Sequence, residues 1–353
     1  MNRSKRALAA ACAAVFCVST GLASAASVPS SQSIATGFGS TTWYVSDQGG
    51  TGAGPFSGSC SGGPGLVITD ASGPTGASDA YDHAWVIFVN GVPYSVGPTV
   101  DLTGTTYTGP ASLMSGLNVS VQYHFVPGDA VARILVTLQN PGASAVAVPV
   151  QVSNNWGSDS TTTIRATSSG DAVVGTDDRW IITSDSYGPS DPVNLSVMYG
   201  EGAGVVPAAY TTTVFGCAGA EGLGTTFNMN VPAGQTQRLM MFAGLGGVME
   251  NNNTVLSAQA SASFFASLDS LDPAWIVGVG QAELDSIVNW GPAAPAFSSC
   301  AGEGYVGDQF KLCQVICSSS LTGKPITPLI RLWTSTYGAD PLCPSATAPL
   351  LVN

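Results

Sequence analysis

The stretch that decides the fold is Leu117-Asn-Val-Ser-Val-Gln-Tyr-His-Phe125, in which apolar and polar residues alternate strictly. Successive side chains of a β-strand point to opposite faces, so this alternation predicts a strand with one buried face. Pro127-Gly128-Asp129 then turns the chain. The alternation returns at Ala132, Ile134, Val136 and Leu138, and after a second turn at Asn140-Pro141-Gly142 it returns again at Val146, Val148, Val150 and Val152. Three such strands form a meander whose apolar face has to pack on another layer.

Further strand signals extend on both sides of this meander. Asn90-Gly91, between Ala84–Val89 and Val92–Val96, is the strongest two-residue hairpin signal. Other strands are predicted at Thr42–Val45, Thr161–Ala166, Trp180–Thr183, Val193–Tyr199, Tyr210–Phe215, Thr225–Val231 and Gln237–Phe242. We therefore expect a mainly β fold built on a large antiparallel β-sandwich, followed by short helices.

The composition agrees with a β fold. Only 9% of the 353 residues are charged and 43 are glycine, whereas helical surfaces usually need many Lys, Glu and Arg side chains. After residue 26, seven Lys or Arg face 22 Asp or Glu, a net charge of −15. Such a chain should repel nucleic acid and anionic lipid surfaces.

The N-terminus has the order of a secretory signal peptide. Arg3, Lys5 and Arg6 precede an uncharged apolar run over residues 7–22, and the small residues Ala23-Ser-Ala-Ala26 close it. We expect cleavage after Ala25 or Ala26, and a secreted, periplasmic or cell-surface bacterial protein with no membrane span in its mature chain. The alternative is an uncleaved anchor.

Six cysteines remain after the signal: Cys60, Cys217, Cys300, Cys313, Cys317 and Cys343. An even number in an exported chain predicts disulfides. Cys313 and Cys317 lie one helical turn apart and point the same way, so we expect one to pair with Cys300 and the other with Cys343. Cys60 and Cys217 would then join each other across the sandwich.

The C-terminal third changes pattern towards helices. Leu256, Ala260, Phe264 and Leu268 have helical spacing, Asp272-Pro273 predicts a helix start, and Gln281–Trp290 predicts a second short helix. Asp308 would cap a helix to about Cys317, and another would run from Thr327-Pro328 to Gly338, which together make a disulfide-stapled αα-hairpin.

These signals divide the chain into five segments. They are a signal peptide (1–26), a Gly/Ser-rich N-terminal segment with one strand (27–65), the β-sandwich domain (66–250), a helical segment packing on the sandwich (254–292), and a Cys-stapled helical hairpin (297–345).

Histidine-based chemistry is disfavoured. The chain has two histidines, His83 and His124, and no G-x-S-x-G nucleophile elbow. The nearest imitation, Gly58-Ser-Cys60-Ser-Gly62, has a cysteine in the nucleophile position, so a bonded cysteine in a loop is the better interpretation.

Carboxylates are the more plausible reactive groups. Asp159 follows Asn154-Asn-Trp156, and further aspartates crowd the loops around Trp180, namely Asp171, Asp177, Asp178, Asp185 and Asp191. They fit three roles: turn caps bonded to local backbone, a calcium site at Asp171, Asp177 and Asp178, or a catalytic pair of the kind that hydrolyses glycosides. We expect no other cofactor.

Aromatic residues in polar loops predict carbohydrate contacts. Trp156, in an Asn/Ser/Asp loop, is the best candidate for an exposed stacking platform, with Asp159 and Tyr187 as further ligand-binding candidates.

The strand and turn motifs over residues 110–290 resemble those of exported bacterial proteins with a broad β-sandwich. The carrying motifs are Gly116-Leu-Asn-Val, Pro127-Gly-Asp, Asn155-Trp-Gly-Ser-Asp159, Pro232-Ala-Gly-Gln and Ile287-Val-Asn-Trp290. The layout is similar to sandwiches that accompany surface adhesins and carbohydrate-active enzymes. The resemblance implies a fold and assigns no functional residue.

Two functions remain in competition, with a ligand-free scaffold as a third. The leading one is a non-catalytic extracellular protein for binding or surface structure, whose partner is a polysaccharide or another envelope component. The alternative is a secreted carbohydrate-active hydrolase or lyase with paired carboxylates in the Asp159–Asp191 region.

Overall fold

A computed structural model describes residues 25–49, 54–56, 63–185, 191–214, 221–248, 258–259, 261–291, 305–321, 332–333 and 335–338, without the side chains of residues 247, 248, 269, 314 and 317–321. Within these residues every pair of strands is antiparallel and the helices are short. The prediction of a mainly β, antiparallel fold is confirmed.

The elements follow in chain order. The strands are β1 (Ala26–Pro29), β2 (Gln32–Ala35), β3 (Thr42–Asp47), β4 (Leu66–Ser72), β5 (Val86–Val89), β6 (Val92–Pro93), β7 (Thr99–Thr103), β8 (Thr106–Thr108), β9 (Ser112–Met114), β10 (Leu117–Phe125), β11 (Val131–Gln139), β12 (Val146–Asn155), β13 (Thr163–Thr167), β14 (Trp180–Ser184), β15 (Pro192–Val197), β16 (Ala209–Thr211), β17 (Gly222–Val231) and β18 (Thr236–Val248). The helices are α1 (Gln281–Leu284) and α2 (Gly307–Leu321), with 3-10 turns at Asp159–Thr161, Ser263–Phe265, Leu268–Ser270 and Pro273–Ile276.

Three sheets make two facing layers. The large sheet has ten strands in the order β1-β7-β8-β10-β11-β18-β15-β14-β13, with β9 beside β10. Its inner face shares one hydrophobic core with a five-stranded sheet, β16-β17-β12-β5-β6, and a three-stranded sheet, β2-β3-β4. The apolar positions predicted from the alternation form this core, for example Val121 on β10, Val136 on β11 and Val150 on β12.

The predicted hairpin at Asn90-Gly91 is confirmed. Asn90 (φ 53°) and Gly91 (φ 76°) both adopt the left-handed conformation, as a type I′ turn requires. The turn joins β5 to β6, with Val89 opposite Val92.

A third layer covers the outer face of the large sheet. Side chains from residues 262–290 pack against the outer side of β11, β15 and β18 in a second core, which includes Phe265, Leu271, Trp275, Ile287 and Trp290. Because this layer lies opposite the inner core, β11 is buried on both faces: Ile134 faces the inner core and Leu135 the outer one.

The helical segment is less helical than predicted. Of the predicted helix Gln281–Trp290 only α1 forms, because the following residues extend along β18: Ile287 bridges Arg238, and the Asn289 side chain binds both backbone groups of Met240. Near Phe264 and Leu268 the chain forms 3-10 turns, while Leu256 and Ala260 lie outside the described residues.

The N-terminal segment contains more strand than predicted. Residues 27–65 hold β2 and β3 and most of β1, where one strand was expected. The extra strands are only four residues long, so the sequence pattern was too short to reveal them.

At the C-terminal end, α2 packs on a second helical stretch. Phe310, Ile316 and Trp333 are buried together, and Gly338 (φ 77°) follows the helical residues 335–337. Cys313 is buried in this cluster and disulfide-bonded. The other five cysteine side chains lie outside the described residues, so the pairing scheme stays a prediction. No helix among the described residues is long and apolar enough to cross a membrane.

Candidate functional site

A cavity of about 360 Å³ opens where the outer face of the large sheet meets the helical layer and α2. Its floor is apolar, and its walls and rim carry aromatic and charged side chains. We call it the Trp275 cleft, defined by Phe38, Asp129, Val131, Leu195, Phe264, Trp275, Asp308 and Lys311. A concave, mostly apolar cavity with a few converging polar groups is the usual form of a small-ligand site.

The turn between β10 and β11 supplies Asp129. Gly128 (φ 75°) allows the turn, and its amide donates to Thr36 O at 2.7 Å. The Thr36 hydroxyl donates in return to Asp129 O at 2.7 Å. Asp129 Oδ2 then accepts from Trp275 Nε1 at 3.0 Å and from Lys311 Nζ at 2.9 Å. One carboxylate oxygen thus ties the sheet, the helical layer and α2 together.

Trp275 forms a wall of the cleft. The predicted start at Asp272-Pro273 is confirmed, because Asp272 Oδ1 accepts from the Ala274 amide at 2.9 Å and begins the 3-10 turn. The Trp275 ring stacks on Phe265 with centroids 4.4 Å apart and planes 9° apart. Lys311 Nζ lies 5.4 Å from the ring centroid, within cation–π range.

A buried arginine holds the backbone around Trp275 in place. Arg133 is fully buried, and its Nη1 donates to the carbonyls of Trp275 and Val277 at 3.0 Å each. Its cross-strand partner is His124, which is also buried. Burial, and secondarily the charge of Arg133, lowers the pKa of His124 to about 4.

A group of aspartates elsewhere in the fold forms a second candidate site. The loop at residues 79–83 is joined to residues 155–157 by backbone hydrogen bonds, including Gly157 N to Ala80 O at 3.1 Å and Asp82 N to Asn155 O at 3.1 Å. This joining brings together what we call the carboxylate cluster: Asp70, Asp79, Asp82, Asp159, Asp185 and Asp191.

The members of the cluster raise one another's proton affinity. Burial, followed by the charges of Asp79, Asp159 and Asp70, raises the pKa of Asp82 to about 6. Burial and the charge of Asp185 raise the pKa of Asp191 to about 6. Neighbouring carboxylates disfavour the ionisation of one another, so the cluster retains protons to a higher pH than a free aspartate does.

The backbone around the cluster is strained. Six described residues other than glycine have positive φ, and four of them lie here: Asp79, His83, Trp85 and Asp159. Strain of this kind concentrates at functional sites, where the surrounding structure maintains it.

The expectation that Trp156 is an exposed platform is wrong. Its side chain is fully buried in the inner core. Residue 156 continues the period-two face of Val150 and Val152, and its amide donates to Glu221 O. The alternation that placed these valines inside therefore extends to Trp156.

The other predicted site residues do not form one site. Asp159 joins the carboxylate cluster, and Tyr187 lies outside the described residues. Asp171 accepts from the Val173 amide, and Asp178 accepts from the amides of Ser169 and Gly175, so these two carboxylates cap turns. Asp177 is exposed. Within the described part of the chain, no group of three or more His, Cys, Asp or Glu side chains is arranged to hold a metal ion.

Sequence reasoning missed the Trp275 cleft. Asp129 was interpreted only as a turn residue and Asp272 only as a cap, because nothing local shows that they meet. A usable signal was Lys311, one of two lysines after residue 26 in an acidic chain.

Comparison with known proteins gives only distant structural likenesses. No family model and no curated protein matches the chain. Among solved structures, a putative kojibiose phosphorylase from the human microbiome has 11% identity and a TM-score of 0.37. The match covers 65% of this chain and 31% of the phosphorylase chain. A polysaccharide lyase has 10% identity and a TM-score of 0.35, and the match covers 60% of this chain and 35% of the lyase chain. A putative aldose 1-epimerase from Klebsiella pneumoniae has 10% identity and a TM-score of 0.34, and the match covers 69% of this chain and 92% of the epimerase chain.

This chain thus spans about a third of the length of the first two proteins. At such similarity, function has to be inferred from the chain's own residues.

Proposed function

We propose that this chain is an exported β-sandwich protein that binds carbohydrate in the Trp275 cleft without chemically changing it. The observation that carries the proposal is the cavity of about 360 Å³, in which aromatic rings and an ion pair converge.

The cleft offers both kinds of contact that a sugar uses. Phe38, with 42% of its surface exposed, stands at the rim, and Phe264 is partly buried beside it. Aromatic faces of this kind can receive the C–H face of a sugar ring. Asp129 and Asp308 supply acceptors for its hydroxyl groups.

The state of Asp129 favours binding over catalysis. Its Oδ2 already accepts two hydrogen bonds and its Oδ1 accepts one from the Ala130 amide. A carboxylate occupied in this way holds a ligand hydroxyl better than it accepts a proton during a reaction.

The N-terminal strand supports export. Cleavage is expected after Ala25 or Ala26, and β1, which begins at Ala26, pairs with β7 at the edge of the large sheet.

The test is a binding measurement on the mature chain. Isothermal titration with soluble oligosaccharides chosen from a glycan array should give a saturable signal that Phe38→Ala weakens about tenfold or more. Tyr44→Ala is the matched control, since Tyr44 is also exposed (38%) and lines neither described cavity. Failure to bind any glycan, or equal losses in both variants, would contradict the proposal.

A second candidate function is glycoside cleavage at the carboxylate cluster. It is favoured by the pKa of Asp82 near 6, which suits a general acid close to neutral pH, and by the carboxylate of Asp159 nearby. Incubation with polysaccharides should then release new reducing ends, and both Asp82→Asn and Asp159→Asn should abolish the release while the Phe38→Ala variant retains it.

A further inference from the structure

We propose that the carbohydrate held in the Trp275 cleft carries a protonated amine, as a 2-amino sugar does, and that this amine binds beside Asp272. This inference rests on the proposed carbohydrate binding and adds the chemical class of the ligand.

The cleft continues into a smaller cavity of about 90 Å³. Both cavities are lined by Phe38, Asp129, Asp308 and Lys311, so a ligand in the larger one can reach the smaller one. The volume of the smaller cavity is several times the roughly 10–15 Å³ that one water molecule needs. The cavity therefore has room for an ammonium group and the carbon that carries it.

The charges around the smaller cavity do not balance. Three carboxylates, Asp129, Asp272 and Asp308, face one ammonium, Lys311. That ammonium is engaged by Asp129 at 2.9 Å. The formal charge of this end of the cleft is therefore −2, and a ligand with one positive charge reduces it.

Asp272 supplies an independent sign of a missing donor. Its side chain is 1% exposed and lines the smaller cavity, and its Oδ2 makes no well-formed hydrogen bond. Burial raises its pKa, while the Ala274 amide, the Lys311 charge and the Gly307 amide act in the opposite direction. A buried carboxylate oxygen without a full donor is costly, and an N–H group of a ligand amine would satisfy it.

An amine fits these groups better than a divalent metal ion. The lysine ammonium among the carboxylates repels a doubly charged ion more strongly than a singly charged one. An amine also brings directional N–H donors, which the orphaned Oδ2 requires.

The test compares two oligosaccharides that differ in one group. Glucosamine oligomers carry the free amine, and N-acetylglucosamine oligomers of equal length carry a neutral amide in its place. We expect the amine form to bind the mature chain at least about tenfold more tightly, with an advantage that shrinks at high salt. Asp272→Asn keeps the cap acceptor and removes the charge, so it should abolish the advantage. Asp101→Asn, an exposed carboxylate on β7 that lines neither cavity, is the matched control.

Each other outcome has a distinct meaning. Equal affinities for the two oligomers, or binding of other neutral glycans alone, would overturn the amine inference and leave carbohydrate binding intact. An advantage that survives in Asp272→Asn would also overturn it, since general attraction to an acidic protein would then explain the preference. Absence of binding to every glycan would overturn both proposals. The wild-type comparison stands even where a variant fails to fold.

Discussion

The Trp275 cleft and the carboxylate cluster are two acidic regions built in opposite ways. In the cleft, Asp129 is neutralised by Lys311 and by the Trp275 indole. In the cluster, Asp82 and Asp191 lie beside further carboxylates, whose charges add to burial in raising their pKa values to about 6. The same residue type is therefore held by donor groups in one region and surrounded by like charges in the other.

The largest expected effect comes from separating the two halves of the carboxylate cluster. A Cβ at Gly157 would lie 1.9 Å from Asp79 O, a backbone atom that cannot move aside cheaply. We expect Gly157→Ala to lower the free energy of unfolding by roughly 4 kcal/mol or more, at the upper end of single substitutions. Urea denaturation measures this loss.

Gly204→Ala is the control for that experiment. Its added Cβ would meet its nearest neighbour at 3.6 Å, an ordinary contact, so its stability should stay close to that of the wild type. If Gly157→Ala were equally harmless, the close joining of residues 79–83 and 155–157 would be refuted.

The second prediction concerns pH and His124. Its pKa in the folded state, about 4, lies below the ordinary 6.5, so the unfolded chain takes up the proton first as the pH falls. The contribution of neutral, buried His124 to the free energy of unfolding is complete above about pH 6.5. It decreases by up to about 3 kcal/mol as the pH falls towards 4. Because other groups titrate in the same window, the loss is measured as the difference in the free energy of unfolding between the wild type and His124→Gln, which should shift by up to about 3 kcal/mol between pH 6.5 and 4.

His124→Gln sharpens the contrast between the two regions. Asp82 and Asp191 have raised pKa values near 6, so their protonation on acidification stabilises the folded state. Without His124, stability should hold or rise as the pH falls from about 6 to 4. If the difference in stability between the wild type and His124→Gln stayed constant across this pH range, His124 would not be the group responsible.

The smallest effect is expected at Lys311. Its ion pair with Asp129 is partly exposed, with 24% and 16% of the two side chains accessible. Lys311→Met should therefore cost only about 1 kcal/mol of stability. It also makes the cleft more negative, so the affinity for amine-bearing oligosaccharides should rise in the titration described above. A fall in that affinity would mean that the ammonium itself holds the ligand.

Local alternation was enough to predict the buried faces of the strands, and the reason is visible in β10 and β11. Each places its predicted apolar residues, such as Val121 and Val136, in the inner core. The period-two pattern needs no knowledge of distant partners. It did not predict the pairing, because β12, expected beside β11 in a meander, pairs with β17 and β5 in the facing sheet. The same rule, carried on to residue 156, would also have placed Trp156 inside.

The sites could not be predicted in the same way, because they are assembled from distant segments. Asp129 meets Trp275 and Lys311 across separations of 146 and 182 residues. Gln122 and Arg133 occupy a face of the sheet that looks solvent-exposed in the sequence, yet Arg133 is fully buried under the Trp275 turn. Only the packing of the third layer reveals this.

The placement of β18 has a consequence for how the chain folds. This thirteen-residue strand pairs on one side with residues 131–139 and on the other with residues 192–197. The centre of the large sheet therefore stays incomplete until late in synthesis, since the pairing of β18 with β11 joins residues as far apart as Val131 and Gly244, and its pairing with β15 joins residues as far apart as Pro192 and Val248. Topologies of this kind fold slowly, so the chain stays unfolded for longer after synthesis than a protein whose strands pair only with their neighbours.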